Sequence, residues 1–304
     1  MKVVSLPGNR QLSWSDRPLV MGIVNCTPDS FYAPSRAASA AAAIEAGLRF
    51  EAEGADILDL GGESSRPGSE YVPVEAELER VVPVVEALRA RTGIPISVDT
   101  RKTAVARAAL DAGADMVNDI SALRDDPELG ALVAERGVPV VLMHMRGTPR
   151  TMQQEPHYDD VVSEVADELA GFAAAAERMG VARDRIILDP GIGFGKRVQD
   201  NLRILSSFER LQRLGCPLLI GLSRKAFLGI VGAAEFGADP QTLGTPYGGD
   251  APSPRPAEDR LAAGLAANLH AAAAGAAILR VHDVMETVDA LKMTAAIRTV
   301  ARNR

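Results

Sequence analysis

Eight short apolar runs, each ending in a polar or glycine-rich group and each followed by residues at helical spacing, constrain this chain more than any other feature. The runs fall at 19–24, 57–60, 94–98, 116–117, 138–143, 186–188, 217–220 and 277–279. Short runs of this kind read as strands buried on both faces, as in a parallel sheet. The segments between and after them, 38–53, 74–91, 102–112, 127–136, 158–180, 198–214, 257–275 and 284–301, read as helices. Glu75, Glu77 and Glu79 fall near the start of the second, where the helix dipole favours acids.

Eight βα units in 304 residues predict a single-domain (β/α)8 barrel, a fold of about 250 residues, covering 1–304. No antiparallel hairpin signal interrupts the eight units. An open doubly wound sheet would carry a Gly-x-Gly-x-x-Gly turn after its first strand. Here that strand runs into Asn25-Cys26-Thr27-Pro28-Asp29-Ser30, without glycine. Residues 1–18 read as a preamble packed on the body through Trp14. Residues 231–257, rich in Gly, Pro and Ala, read as a flexible insertion.

Composition narrows the function classes. Hydrophobic residues make up 47% and aromatics 4%, so the core is built from Ala, Val, Leu and Ile. The net charge is −7 and no long basic run is present, which argues against nucleic acid as a partner. Cys26 and Cys216 are too few and too far apart for a disulfide framework and read as buried free thiols. Neither a signal peptide nor a bilayer-spanning stretch is visible, so the expected setting is the cytoplasm.

A barrel carries its active site at the C-terminal ends of its strands. Those ends supply Asn25, the loop Gly61-Gly62-Glu63-Ser64-Ser65-Arg66-Pro67-Gly68, Asp99, Asn118-Asp119, His144, Asp189, Ser223-Arg224-Lys225, and Arg280 with His282. Asp99 and Asp189 accept hydrogen bonds when ionised, Asn118 both donates and accepts, and Lys225 is a mobile point charge. That set suits a flat, nitrogen-rich heterocycle. On the other side, Arg280, His282 and Asn25 come from the last and first strands, where barrels often place phosphate. Asn25 is a neutral oxygen donor of the kind that shares Mg2+ with phosphates and water. Four scattered histidines and no Cys/His cluster argue against zinc. Neither a Gly-x-Ser-x-Gly elbow nor a P-loop is present, and Gly191-Ile192-Gly193-Phe194-Gly195-Lys196 reads as a mobile wall rather than a phosphate loop.

Taken together, Asn25-x-Thr27-Pro28-Asp29-Ser30-Phe31, the Gly61–Gly68 loop, Met143-His144-Met145-Arg146-Gly147-Thr148-Pro149, Asp189-Pro190-Gly191-Ile192-Gly193-Phe194, Ser223-Arg224-Lys225 and Arg280-Val281-His282-Asp283-Val284 resemble the dihydropteroate synthase family. The likeness runs in order from about residue 18 to the end of the chain. The resemblance implies a pterin-binding barrel of folate biosynthesis. It would condense 6-hydroxymethyl-7,8-dihydropterin diphosphate with p-aminobenzoate, giving 7,8-dihydropteroate and diphosphate. It implies that Asp99, Asn118, Asp189 and Lys225 hold the pterin. Asn25, Arg280 and His282 would hold the diphosphate, with Mg2+ at Asn25. Ser65, Arg66, Pro67, Phe194 and Ser223 would shape the amine pocket with Lys225. Lys225, Arg66, Asp99 and Arg280 are the residues it marks as catalytic. A homodimer and sulfonamide sensitivity are further implications.

Two departures from the family pattern stand out. Tyr32-Ala33-Pro34-Ser35 follows Phe31 where the family commonly has Ser-Asp-Gly-Gly, and the connection after Lys225-Ala226-Phe227 is long. The first departure raises a pterin-binding paralogue of weak activity as an alternative. A methyltetrahydrofolate–corrinoid methyltransferase domain shares the barrel and the pterin carboxylates, but has no use for the Ser65-Arg66-Pro67 loop or the Arg280/His282 anion site.

Overall fold

The computed structural model describes residues 2–27, 33–244 and 253–302. Pro28 to Tyr32, with Asp29 and the first residue of the unusual Tyr32-Ala33-Pro34-Ser35 segment, lie outside the described residues, as do 245–252 of the expected insertion, while residues 33–35 are helical.

The chain opens with a feature that the sequence reading missed. Strands β1 (Lys2–Ser5) and β2 (Gln11–Trp14) form an antiparallel hairpin that pairs Lys2 with Trp14. Its turn is left-handed at Gly8 (φ 69°) and Asn9 (φ 59°), conformations that these two residue types adopt most readily. Val4, Leu6, Leu12 and Trp14 pack in one cluster with Leu19, Met21, Ile57, Met116, Ile187, Leu219 and Ile278. Those partners lie towards the N-terminal ends of the barrel strands. The hairpin therefore stoppers the bottom of the barrel, the end opposite the expected site.

Eight parallel strands follow: β3 (Leu19–Asn25), β4 (Ile57–Gly61), β5 (Ile96–Asp99), β6 (Met116–Asp119), β7 (Val140–Met143), β8 (Ile186–Asp189), β9 (Leu219–Ile220) and β10 (Ile278–Val281). They form one sheet in the order β8-β7-β6-β5-β4-β3-β10-β9. A parallel bridge from Leu188 to Leu218 joins β8 to the segment entering β9 and brings the sheet round on itself. Closure of this kind removes the edges of the sheet. The eight-unit alternation is thus a (β/α)8 barrel, as the sequence predicts.

The helices are α1 (Ala33–Glu53), α2 (Val74–Arg89), α3 (Thr103–Asp111), α4 (Glu128–Arg136), α5 (Val161–Arg178), α6 (Val198–Ser206), α7 (Phe208–Gln212), α8 (Ala226–Ala233), α9 (Leu261–Ala273) and α10 (Val284–Arg302). Several differ from expectation, α1 among them, which begins at Ala33 rather than at 38. The single helix expected over 198–214 breaks at Ser207, whose φ of −118° and ψ of 30° are not helical. Helix α8 was not expected, and it carries the chain to Ala233, inside the segment read as a flexible insertion. Leu228 and Ile230 of α8 are buried in the main core, which anchors the start of that segment. Glu77 of α2 does more than complement a dipole, because it is fully buried and paired with Lys102.

Candidate active site

Strand register sets the height of the polar groups. Asn25 is level with Gly61, Gly61 with Asp99, Asp99 with Asn118, and Met143 with Asp189. The C-terminal rim expected from the sequence therefore exists, and its charged groups meet across the barrel.

Arg280, in β10, is at the centre of that meeting. Its Nε donates to Asp59 Oδ2 and its Nη2 to Asp99 Oδ2, each at 2.6 Å. Asn118 Nδ2 also donates to Asp59 Oδ2, at 3.0 Å. Arg280 was expected on the anion side, away from the acids. Instead two of its donors are held by the carboxylates of β4 and β5, because strong opposite charges at low dielectric pair when they come within reach. Asp59 was absent from the expected site. Its signal is visible in the sequence, an acid between Leu58 and Leu60 in an otherwise apolar strand. It is wholly buried, and its Oδ1 has no partner.

Burial dominates the titration of the acids nearby. It raises Asp99 to about 7, against the pull of Arg280 and with further push from Asp59 and Glu77. It raises Asp189 to about 6, although the Gly191 N–H donates to Asp189 Oδ1 at 2.7 Å and Lys225 adds positive charge. Burial lowers Lys225 to about 8, while Asp189 pulls the other way. The Lys225 ammonium lies 3.8 Å from the centre of the Phe194 ring, a cation–π contact. It precedes α8 and follows Arg224, which takes a left-handed φ of 61°. Strain of this kind in a bulky residue is often found at functional sites.

The Gly191–Gly195 turn carrying Phe194 is pinned rather than mobile. Gln153 Nε2 donates to the Gly193 carbonyl at 2.9 Å, and the Tyr158 hydroxyl to the Gly195 carbonyl at 2.9 Å. Asn201 Oδ1 accepts from the Gly193 N–H at 2.7 Å. His144, expected on the rim, is fully buried behind this turn.

On the opposite flank, His282 Nδ1 lies 3.1 Å from the Ser223 hydroxyl. Burial, with Arg224 and Arg280 nearby, lowers His282 to about 4, so its imidazole is neutral at pH 7. Ser223 was expected to face the amine pocket, but its hydroxyl is taken up by His282 and, at 3.4 Å, by Asp283. Asp283 in turn pairs with Arg224 at 2.6 Å.

The second loop is tied down at both ends. Glu63 pairs with Arg101 at 2.7 Å and with Lys102 at 2.5 Å, and the Gly68 N–H donates to the Pro149 carbonyl at 3.1 Å. Between these anchors Arg66 is exposed, and Ser65 and Pro67 are half-buried. Glu63, Ser65, Asp99, Arg101 and Pro149 line a cleft that leads from the loop to the carboxylates. Asn25 is exposed at the end of β3. Among the described residues there is no cluster of His, Cys, Asp and Glu able to hold a metal by itself. A lone carboxamide oxygen suits a hard cation that takes its other ligands from phosphate and water.

The family profile described as pterin binding enzyme matches residues 21–282. Dihydropteroate synthase of Escherichia coli K12 is 43% identical over 288 residues, which cover 94% of each chain. A protein of Haloferax volcanii described as a probable bifunctional folylpolyglutamate synthase/dihydropteroate synthase is 43% identical over 291 residues; the match takes in 96% of this chain and 32% of that longer protein. The structure of Xanthomonas albilineans dihydropteroate synthase with 4-aminobenzoic acid is 48% identical with a TM-score of 0.81, covering 95% of this chain and 96% of the other. The same enzyme with 7,8-dihydropteroate superposes with a TM-score of 0.80 over 97% of this chain and 98% of the other, at 46% identity. With a barrel of this topology, a partly buried acid–amide–lysine rim and likeness along nearly its whole length, the chain belongs to the pterin-binding enzymes and, among them, to the dihydropteroate synthases.

Proposed function

We propose that this chain condenses 6-hydroxymethyl-7,8-dihydropterin diphosphate with p-aminobenzoate, and that the rim groups divide the work. The observation that carries this reading is the gathering of Asp99, Asn118, Asp189, Lys225 and Arg280 at one end of the barrel, with Asn118 and Asp189 buried and the other three partly buried. Its two carboxylates provide acceptors for the N–H edge of a pterin. Asn118 and Lys225 complete the hydrogen bonding of the ring, and Arg280, clamped by Asp59 and Asp99, keeps a further face for the ring or for the leaving diphosphate.

The reaction breaks the bond from the pterin methylene carbon to the diphosphate oxygen and forms a carbon–nitrogen bond to the arylamine. The amine proton leaves to water or to the departing anion. An arylamine is uncharged and nucleophilic at neutral pH, so no strong general base is needed. Stabilising the anion matters more. Neutral His282, as a hydrogen-bond donor, and Asn25 serve that end on the flank of β10 and β3. Asn25 would hold Mg2+ there, and the cation would supply charge neutralisation for the diphosphate. Arg66, Ser65, Pro67 and Phe194 form the amine pocket, with Lys225 between the two substrates. Ser223 acts through His282.

The exposed Met285, Met293, Ile297 and Val300 on α10 support a homodimer formed through that helix. Two buried free cysteines fit a reducing cytoplasm, and among the described residues no helix is long and apolar enough to cross a membrane.

Diphosphate release from the pterin diphosphate, followed with and without p-aminobenzoate, tests the reading. Release should depend on the amine and yield dihydropteroate. Release without amine dependence, or methyl transfer from methyltetrahydrofolate, would remove it.

A further inference from the structure

We propose that Glu168, His144 and Lys196 form a positioning relay that sets the aromatic wall of the amine pocket. The inference rests on the reading of Phe194 as part of that pocket.

Lys196 is fully buried, which is rare for a lysine without an ionised partner in contact. Its Nζ lies 3.0 Å from the Gly191 carbonyl, 3.0 Å from the Phe194 carbonyl and 2.9 Å from His144 Nδ1. An ammonium has three N–H donors, and these are the three nearest acceptors, with the His144 carbonyl a fourth and longer one at 3.5 Å. The two carbonyls are the first and fourth of the Gly191–Gly195 turn that presents Phe194 to Lys225. His144 Nε2 stands 3.2 Å from Glu168 Oε2, close enough for an ion pair but not aligned as a hydrogen bond. Glu168 Oε1 accepts from Arg146 Nε at 2.9 Å.

The backbone makes the arrangement rigid. The His144 N–H donates to the Asp189 carbonyl at 2.8 Å. A Cβ at Gly191, whose φ is +64°, would sit 1.9 Å from the His144 carbonyl oxygen. The turn and His144 therefore move together or not at all.

Proton placement follows from the neighbours. Burial and the charge of Lys196 lower His144 to about 4, with Glu168 opposing and Arg146 adding to the fall, so the ring is neutral. A neutral imidazole has one donor and one acceptor nitrogen. Only a carboxylate faces Nε2, so Nε2 carries the proton and Nδ1 accepts from Lys196. Glu168 thereby favours the protonated lysine through the ring. Lys196 itself is lowered to about 7 by burial and by Lys225, with Asp189, Glu168 and Asp200 opposing. Once Lys196 loses its proton, a lone pair replaces one of the three donors. Either one carbonyl loses its partner, or the His144 proton moves to Nδ1 and leaves a lone pair facing Glu168. In both cases the clamp on the turn loosens.

Steady-state kinetics of Lys196→Met, Lys196→Arg and Glu168→Gln, together with calorimetric binding of the pterin diphosphate, test the relay. Lys196→Met should raise KM for p-aminobenzoate by roughly tenfold or more, the scale of lost hydrogen bonds to a charged group. Pterin diphosphate affinity should stay close to wild type. Lys196→Arg, which keeps the charge, should recover part of the loss. Glu168→Gln should match wild type at acidic pH, and its KM for p-aminobenzoate should begin to rise at lower pH than that of wild type. Equal losses for both substrates, or an unchanged KM in a folded Lys196→Met protein, would overturn the relay. If Lys196→Met does not fold, a Glu168→Gln pH profile superimposing on wild type overturns it. Absence of turnover in the wild-type protein would count against the proposed reaction instead. The relay is then judged by amide exchange at residues 191–195, where Lys196→Met should lose protection and unchanged protection refutes it.

Discussion

Arg280 and Asp59 stand 221 positions apart in the chain and meet at 2.6 Å inside the barrel mouth. Asp59 is fully buried, and it also accepts from Asn118 at 3.0 Å. One carboxylate thus orients the arginine and the carboxamide of the proposed site at once. Removing one partner of a buried ion pair strands the other and costs about 3–5 kcal/mol. Asp59→Ala should lose stability on that scale in denaturant unfolding. It should also lose most of kcat/KM for the pterin diphosphate. Wild-type stability would show that water replaces the carboxylate without penalty.

Arg66 should act on the amine alone. It is exposed, while the backbone around it is held by Ser64 and by the link from Gly68 to Pro149, so truncating the side chain leaves the loop in place. Arg66→Ala should raise KM for p-aminobenzoate roughly 10- to 150-fold, the equivalent of a charged hydrogen bond of about 1.5–3 kcal/mol. Binding of the pterin diphosphate, measured by calorimetry, should change little. Comparable losses on both substrates would argue against the division of labour.

Pterin binding should strengthen as pH rises through about 6 and about 7, where Asp189 and Asp99 lose their protons in the free protein. The ligand's N–H edge requires ionised acceptors, so binding should release protons. Titrations in buffers of different ionisation heat measure that release. The effect on folding has the opposite sign. A carboxyl raised from 3.8 binds more protons folded than unfolded, so its contribution to stability falls as pH rises from about 4 through its folded value. Above about 8, Lys225 loses its charge and activity should decline again. A flat pterin affinity from acidic to neutral pH would refute this assignment.

Asn25→Ala should raise the Mg2+ concentration needed for half-maximal diphosphate release, with little change in thermal stability, because the side chain is exposed at a strand end. Chelating divalent metal should abolish release in wild type. An unchanged Mg2+ dependence in Asn25→Ala would place the cation elsewhere.

The sequence was most informative where the signal is local. Alternation of apolar runs and helical spacing located all eight barrel strands, and polar residues closing the runs lie at the rim, as for Asp99, Asn118, Asp189 and Arg280, whereas His144 is buried behind the 191–195 turn. It was weakest where the outcome depends on contacts between distant segments. The β1–β2 hairpin was missed because two four-residue strands carry little periodicity, and their stability comes from covering the barrel floor. The turn at 191–195 looked mobile because its glycines are free in isolation. Gln153, Tyr158, Asn201 and Lys196 hold it only once the chain is folded.

By itself, the sequence determined the barrel, several of the polar groups at its rim and the family, since periodicity and residue chemistry are carried by neighbours in the chain. Only the tertiary structure decided which charges meet: Arg280 with Asp59 and Asp99, Ser223 with His282, and Lys196 with His144. Coulombic and desolvation energies depend on separations of a few ångströms and on depth of burial. Strand register and closure of the barrel fix those quantities, and no local spacing contains them.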